Sequence, residues 1–217
     1  MEAILDAHLG ALAAALPRFR HRAARLARWG AALASTLGSG GRLLVAGNGG
    51  SAEQAQHLAA ELVGKLRQDR VALSAIALGS EPVAVTAISN DYGYEQVFAR
   101  QVQAHGRAGD VLLLISTSGR STNLLAAAGA GAQRGLRCWA LTGPAPNPLA
   151  AGCAEALAVS SPDPQVVQEL HLVAIHVLCE HVERALPAGA AGVDGSRAGG
   201  HRPAMASLAG HPHRRQP

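Results

Sequence analysis

Leu43-Leu44-Val45-Ala46-Gly47-Asn48-Gly49-Gly50-Ser51 is a short apolar run that stops in glycines and small polar residues, then leads into the Ala-rich stretch from Ala52. A run apolar at every position reads as a strand covered on both faces, and the glycines after it as a tight turn that opens a helix. Val111-Leu112-Leu113-Leu114-Ile115 repeats the design and ends in Ser116-Thr117-Ser118-Gly119-Arg120-Ser121. The start of a helix leaves backbone N–H groups unpaired and carries the positive end of the helix dipole, so each turn is a candidate anion cradle. Two of them in one chain point to a phosphorylated ligand.

Outward from these turns the pattern alternates. Further strands are expected at Leu73 to Leu78, Ala84 to Ile88, Cys138 to Leu141 and Ala156 to Val159, with helices at Ala52 to Leu66, Tyr94 to Ala104 and Asn123 to Arg134. A last helix is expected from Gln165 to Leu186. Strand and helix in alternation, with strands apolar on both faces, predict an α/β fold: an open, doubly wound parallel sheet flanked by helices. Ligands of such sheets bind beyond the carboxyl ends of the strands, where both turns lie. Ahead of the sheet, Ile4, Leu5, Leu9, Leu12 and Leu16 recur at helical spacing. After Pro17, Phe19, Leu26, Trp29, Leu33 and Leu37 do so again. The polar face of the second stretch carries Arg18, Arg20, Arg22, Arg25 and Arg28, either a solvated face or a binding surface.

A chain of 217 residues with 48% apolar content can bury one full core, so residues 1 to 186 are expected to form one domain. From Pro187 to Pro217 the composition turns to Gly, Ala, Pro, Arg and His, which cannot bury enough surface to offset its ordering entropy, and a disordered tail is expected. Adventitious metal binding by its His201, His211 and His213 is the weaker interpretation. The formal charge is +4, and the tail holds Arg197, Arg202, Arg214 and Arg215 against Asp194, so three of the four net charges lie there. With two Phe, two Tyr and two Trp in all, the chain has no stacking platform for single strands, and nucleic acid is not an expected partner. No apolar run approaches the roughly 20 residues of a spanning helix, and the N-terminus lacks a cleavable hydrophobic core. Cys138, Cys153 and Cys179 are odd in number and lack CxxC spacing. A cytoplasmic protein without membrane attachment is expected.

The first turn formally fits the dinucleotide fingerprint GxGxxG/A. That fingerprint wants an acidic residue ending the next strand, whereas Asp69 precedes it and Glu81 lies too far on. A Walker loop fails because no Gly-Lys-Ser/Thr follows. A sugar-phosphate cradle is favoured by the second turn. In order, Gly47-Asn48-Gly49-Gly50-Ser51, Gln56-His57 with Glu61-Leu62, Asn90-Asp91-Tyr92, Gly109-Asp110 running into Ile115-Ser116-Thr117-Ser118-Gly119, Leu141-Thr142-Gly143, and Gln168-Glu169 with His176 resemble the sugar-isomerase (SIS) domain of phosphoheptose isomerases. The resemblance runs from the N-terminal helices to about Leu186. It implies the flavodoxin-like three-layer sandwich of SIS domains, conversion of sedoheptulose 7-phosphate to a heptose 7-phosphate, and a homotetramer whose sites draw on neighbouring subunits.

Moving a proton between adjacent carbons through an enediol needs a base at carbon and an acid at the carbonyl oxygen. His57 and Glu61, four apart, share a helix face, as ordinary surface pairs also do. The resemblance implies Glu61 as the base, His176 as the acid, and one zinc ion among His57, Glu61, Gln168 and His176. Spacing alone would place Glu169, rather than Gln168, nearer to His176 in helical phase. By the same resemblance Ser116, Thr117, Ser118 and Ser121 hold the phosphate, Asn48, Gly49, Gly50 and Ser51 line the sugar side together with Glu61 and Gln168, and Asn90 and Asp91, after a strand end, contact sugar hydroxyls. Asp91 has a second interpretation, capping the helix near Tyr94. His171 and His181, five residues either side of His176, are expected to be structural.

Two positions depart from the family: Arg120 where Asn is usual, and Val166 where an Arg commonly precedes the matching Gln. The competing function is a non-catalytic SIS protein that binds a replication initiator or senses a sugar phosphate, against which retention of Glu61 and His176 counts. A different sugar-phosphate isomerase, without need of His57, Gln168 or zinc, is the third.

Overall fold

In a computed structural model describing residues 2–186, β1 (Leu43–Gly47) and β3 (Val111–Ser116) run parallel at the middle of a five-stranded sheet. The order is β2-β1-β3-β4-β5, with β2 at Ala75–Ala77, β4 at Arg137–Thr142 and β5 at Glu155–Ala158, every pairing parallel. This order places the topological switch point between β1 and β3, and their register pairs Gly47 with Ile115. The two turns are therefore neighbours at one sheet end.

Alternating side chains of each strand feed two cores. Leu43, Val45, Leu113, Ile115, Trp139 and Leu141 face α2 (Ala23–Gly38), α3 (Gly50–Val63) and α8 (Pro164–Ala185). Leu44, Ala46, Leu112, Leu114, Cys138 and Ala140 face α5 (Val97–His105), α6 (Thr122–Gln133) and α7 (Pro148–Gly152). Residues Val111 to Ile115 are all at most 1% exposed, each aliphatic side chain worth about 1.5–3 kcal/mol of burial. Trp29 of α2 stacks on Trp139 of β4, ring centroids 4.8 Å apart and planes 3° from parallel. Arg25 and Arg28 on the basic face reach Glu155 at 3.9 and 3.8 Å, so that face is partly tied to β5.

The expected strand at Ala84 to Ile88 is instead a helix, α4 (Pro82–Tyr92). Its start is written in Glu81, whose side chain accepts from the Val83 N–H, and in Pro82 at the first turn. Only Val85 and Ile88, three apart, pack on the core, while Val83 stays 71% exposed, so burial follows the helical rather than the strand period. Pro17 likewise fails to end its helix: α1 runs Glu2–Arg20 through it. A 3-10 turn at Tyr94–Gln96 precedes α5. The expected tail from Pro187 to Pro217 lies outside the described residues, as do its histidines.

His171 of α8 is 0% exposed, and neither ring nitrogen has a hydrogen-bond partner. It is structural, as its spacing predicted. Burial lowers its pKa to about 4, with the Thr142 backbone acting weakly the other way. The folded chain thus refuses a proton that the unfolded chain binds near pH 6.5, and its stability falls as pH drops from there toward 4. Between pH 7 and 4.5 this costs roughly 2–3 kcal/mol. Urea unfolding should show a His171→Leu variant losing that much less over the interval; equal losses would exclude His171 as the cause.

Candidate active site

Gly49 takes φ +53 at the entry to α3, a backbone state that glycine adopts freely, and leaves the helix without a side-chain cap. Ser121 precedes α6 with no side-chain cap bond either. The Ser51 and Ala52 N–H groups of α3 bond back to the Asn48 and Gly49 carbonyls at 3.0 and 2.9 Å, and that of Leu124 in α6 to the Ser121 carbonyl at 3.1 Å, which leaves the Gly50, Thr122 and Asn123 N–H groups for an anion at the switch point. Within the second turn the Ser116 hydroxyl accepts from Gly119 N–H at 3.0 Å and the Ser118 hydroxyl from Arg120 N–H at 3.3 Å, which shapes the loop from inside. Thr117 is half-buried, Ser118 exposed and Ser121 half-buried. A Cβ on Gly143 would lie 2.0 Å from the Thr117 carbonyl oxygen, so the β4 turn presses on this loop from below.

The two turns are joined by a reciprocal amide pair. Asn48 Nδ2 donates to Asn123 Oδ1 at 3.0 Å, and Asn123 Nδ2 donates to Asn48 Oδ1 at 2.9 Å. Tyr94 OH donates to the same Asn48 oxygen at 3.0 Å. Sequence reasoning singled out Asn48 but missed Asn123 and Tyr94. Asn123 is 2% exposed, and its position in the first turn after Ser121 was the available signal. Asn90 and Asp91 do not follow a strand end; they occupy the last turn of α4, exposed. Asp91 accepts from Asn90 Nδ2 at 2.8 Å and does not cap the Tyr94 turn, whose N-cap is Gly93.

The helix opened by the first turn carries His57 and Glu61 on the side facing α8. His57 Nε2 lies 2.9 Å from His176 Nε2 and 3.5 Å from Glu61 Oε1, and the two imidazole rings meet edge to face. Three groups from two helices remote in sequence thus form one chain, His176–His57–Glu61. Glu61 is more sheltered than His57, their side chains being 20% and 41% exposed, and His176 at the other end is exposed. Which of the two nitrogens donates is set by the tautomers of the rings.

Beside this chain a cavity of about 720 Å³ is lined by Gly50, Glu53, His57, Gln165 and Gln168, with His8 and Ile4 of α1 on its far wall. A Cβ on Gly50 would fall 1.8 Å from Gln168 Nε2, so the amide lies directly on the glycine turn. Gln54 Nε2 donates to the Gln168 carbonyl at 2.6 Å. Glu169, which helical phase favoured, turns the other way and meets His8 at 2.6 Å. Ser51 is buried at the first turn of α3. Val166 is fully buried in the core, while Arg120 stands exposed beside the serine turn.

Imidazole and carboxylate are zinc's usual ligands, and tetrahedral donors at about 2.0–2.1 Å stand roughly 3.3 Å from one another. The spacings of 2.9 and 3.5 Å bracket that value, so the donor chemistry and spacing of His57, Glu61 and His176 fit a zinc ion after a small opening of the imidazole pair. As they stand, however, no three His, Cys, Asp or Glu side chains among the described residues are arranged to hold a metal ion, so the fit is one of donor type and pair spacing.

An α/β domain with paired anion cradles next to an imidazole–carboxylate chain defines a phosphosugar-handling protein of the SIS type. The family model for the SIS domain matches residues 8–143. The chain is 58% identical over 193 residues to the phosphoheptose isomerase of Streptomyces coelicolor, covering 89% of this chain and 82% of that relative. It is 47% identical to that of a Bradyrhizobium species, strain BTAi1, over 84% of this chain and 94% of the relative. The solved phosphoheptose isomerase of Neisseria gonorrhoeae superposes with a TM-score of 0.78 at 37% identity, covering 84% of this chain and 98% of that one. The chain belongs to the phosphoheptose isomerase family of SIS-domain proteins.

Proposed function

We propose that the chain interconverts sedoheptulose 7-phosphate and D-glycero-D-manno-heptose 7-phosphate by proton transfer. The convergence of Glu61, His57 and His176 beside the cradles is the observation that carries this reading. The serine turn and the open N–H groups of α6 hold the phosphate, and Asn48 with Gly49, Gly50 and Ser51 lines the sugar. Glu61 takes a proton from C1 of the ketose while His176 protonates the C2 oxygen, giving an enediol. Removal of the O1 proton and return of a proton to C2 complete the aldose with no net oxidation. His57 stands between them, its Nε2 within 2.9 Å of His176 and 3.5 Å of Glu61.

A zinc ion held by His57, Glu61, Gln168 and His176 would, when bound, polarise the sugar oxygens. The apolar side chains of Ile4, Leu5 and Leu9 on α1 are 80, 59 and 51% exposed, which supports assembly through this helix into the homotetramer. Three free cysteines support a reduced, cytoplasmic setting. Among the described residues no helix is long and apolar enough to cross a membrane.

The test is incubation of the purified protein with five-, six- and seven-carbon ketose phosphates, with product identification and zinc content measured on the same sample. Turnover confined to the seven-carbon ketose, with about one zinc per chain, is expected. Binding of sugar phosphate without any product would favour the non-catalytic interpretation, and turnover of a shorter ketose alone would reassign the substrate.

A further inference from the structure

Arg70 sits in the connection that leaves α3, and its side chain is only 5% exposed. Its Nη2 donates to the Glu61 carbonyl at 2.7 Å, and its Nη1 to the carbonyls of Leu62 at 2.8 Å and Val71 at 2.9 Å. The last carbonyls of a helix lack intrahelical partners and carry its negative dipole end, so the guanidinium caps the turn from which Glu61 projects. The same side chain lies 3.4 Å from Glu183 of α8, itself 12% exposed. Glu183 also accepts from the Leu66 N–H at 3.0 Å. Both ends of this pair are thus built into the backbone just beyond α3.

Glu183 follows His176 by seven residues, two turns along one helix face. Within the two helices His57 meets His176 and Gln54 donates to the Gln168 carbonyl, while the Arg70–Glu183 pair ties the connection just past α3 to α8. The pair adds an anchor at the end of α3, beyond the contact at His176. Between them lies the buried thiol of Cys179, which feels Glu61, Arg70 and Glu183 together, so the three charges share one small patch. A buried ion pair adds little net stability once desolvation is counted, and fixing position is a recognised use for one.

We propose that Arg70 and Glu183 are positioning residues that hold the last turn of α3, and with it Glu61, in register with His176. The proposal rests on the isomerase reading of Glu61 and His176. A displacement of about 1 Å at reacting groups can cost on the order of 100-fold in rate.

The experiment compares the full chain with Arg70→Lys and with Arg70→Met/Glu183→Leu, which replaces the pair by apolar side chains and leaves no buried charge unpaired. Thermal unfolding, kcat and KM on the ketose phosphate, and hydrogen exchange at the amides of residues 61–66 are read for each. Expected for the double variant are a melting temperature lower by several degrees, because the Glu61, Leu62 and Val71 carbonyls and the Leu66 N–H lose their partners, KM within about twofold, kcat at a temperature well below melting lower by roughly 10–100-fold, and exchange at 61–66 at least about tenfold faster. Arg70→Lys keeps the charge without the fork that spans three carbonyls, and a drop of about tenfold in kcat is expected. Parental kcat in either variant, or a kcat loss that merely tracks the unfolded fraction, overturns the proposal. Should the parent chain turn over no ketose phosphate, the isomerase reading fails by itself. Exchange at 61–66 then decides whether the pair holds this turn, unchanged protection overturning it.

Discussion

Glu61→Gln is expected to lower isomerisation by roughly 10²–10⁴-fold while leaving sugar-phosphate affinity within a few-fold of the parent. The amide keeps the shape of the side chain but has no lone pair basic enough to take a proton from carbon. The fold should persist, because what holds this turn of α3 is its backbone carbonyl bonded to Arg70, which the substitution leaves intact. In deuterated water the parent should also wash the C1 hydrogen of the ketose into solvent, and the variant should not. Unchanged turnover would remove Glu61 from the chemistry. Lost turnover with continued C1 exchange would place the base elsewhere.

Gly143→Ala should damage the phosphate end instead. The added methyl would sit 2.0 Å from the Thr117 carbonyl oxygen and 3.6 Å from Val167 Cγ1, and the first of these is backbone, which cannot swing aside. Either β4 withdraws from β3, where Gly143 N–H reaches the Ser116 carbonyl at 3.3 Å, or the serine turn is pushed out of shape. Overpacking of this kind costs about 1–3 kcal/mol, occasionally more. KM for the sugar phosphate should rise about tenfold or more with a smaller change in kcat, as expected when ground-state and transition-state binding are lost together. Parental KM and melting temperature would show that the loop yields without consequence.

Much of this was legible in the chain, for identifiable reasons. Leu43 to Ala46 and Val111 to Ile115 are apolar at every position because both faces of the central strands are covered, and their glycine and serine ends mark where the sheet opens to ligand. The segment at Ala84 misled because Val and Ile favour strands, while Glu81-Pro82, the signal of a helix start, carried the decision. Gln168 and Glu169 show the limit of ideal helical phase. Phase to His176 favours the glutamate, but the glutamine lies against Gly50, where the missing Cβ makes room, and the glutamate is drawn to His8 of α1. Partners such as Tyr94 and Arg70 depend on tertiary approach across 46 and nine residues of chain, and no local pattern announces them.

The stacked Trp29 and Trp139 have a practical consequence for all such measurements. They are the only tryptophans of the chain, both at most 2% exposed and locked face to face between α2 and β4. Intrinsic tryptophan emission is thus a gauge of whether that seam is closed, and the ligand pocket contributes no indole to it. An indole grafted onto the pocket rim would report occupancy against a background that changes only when the protein melts.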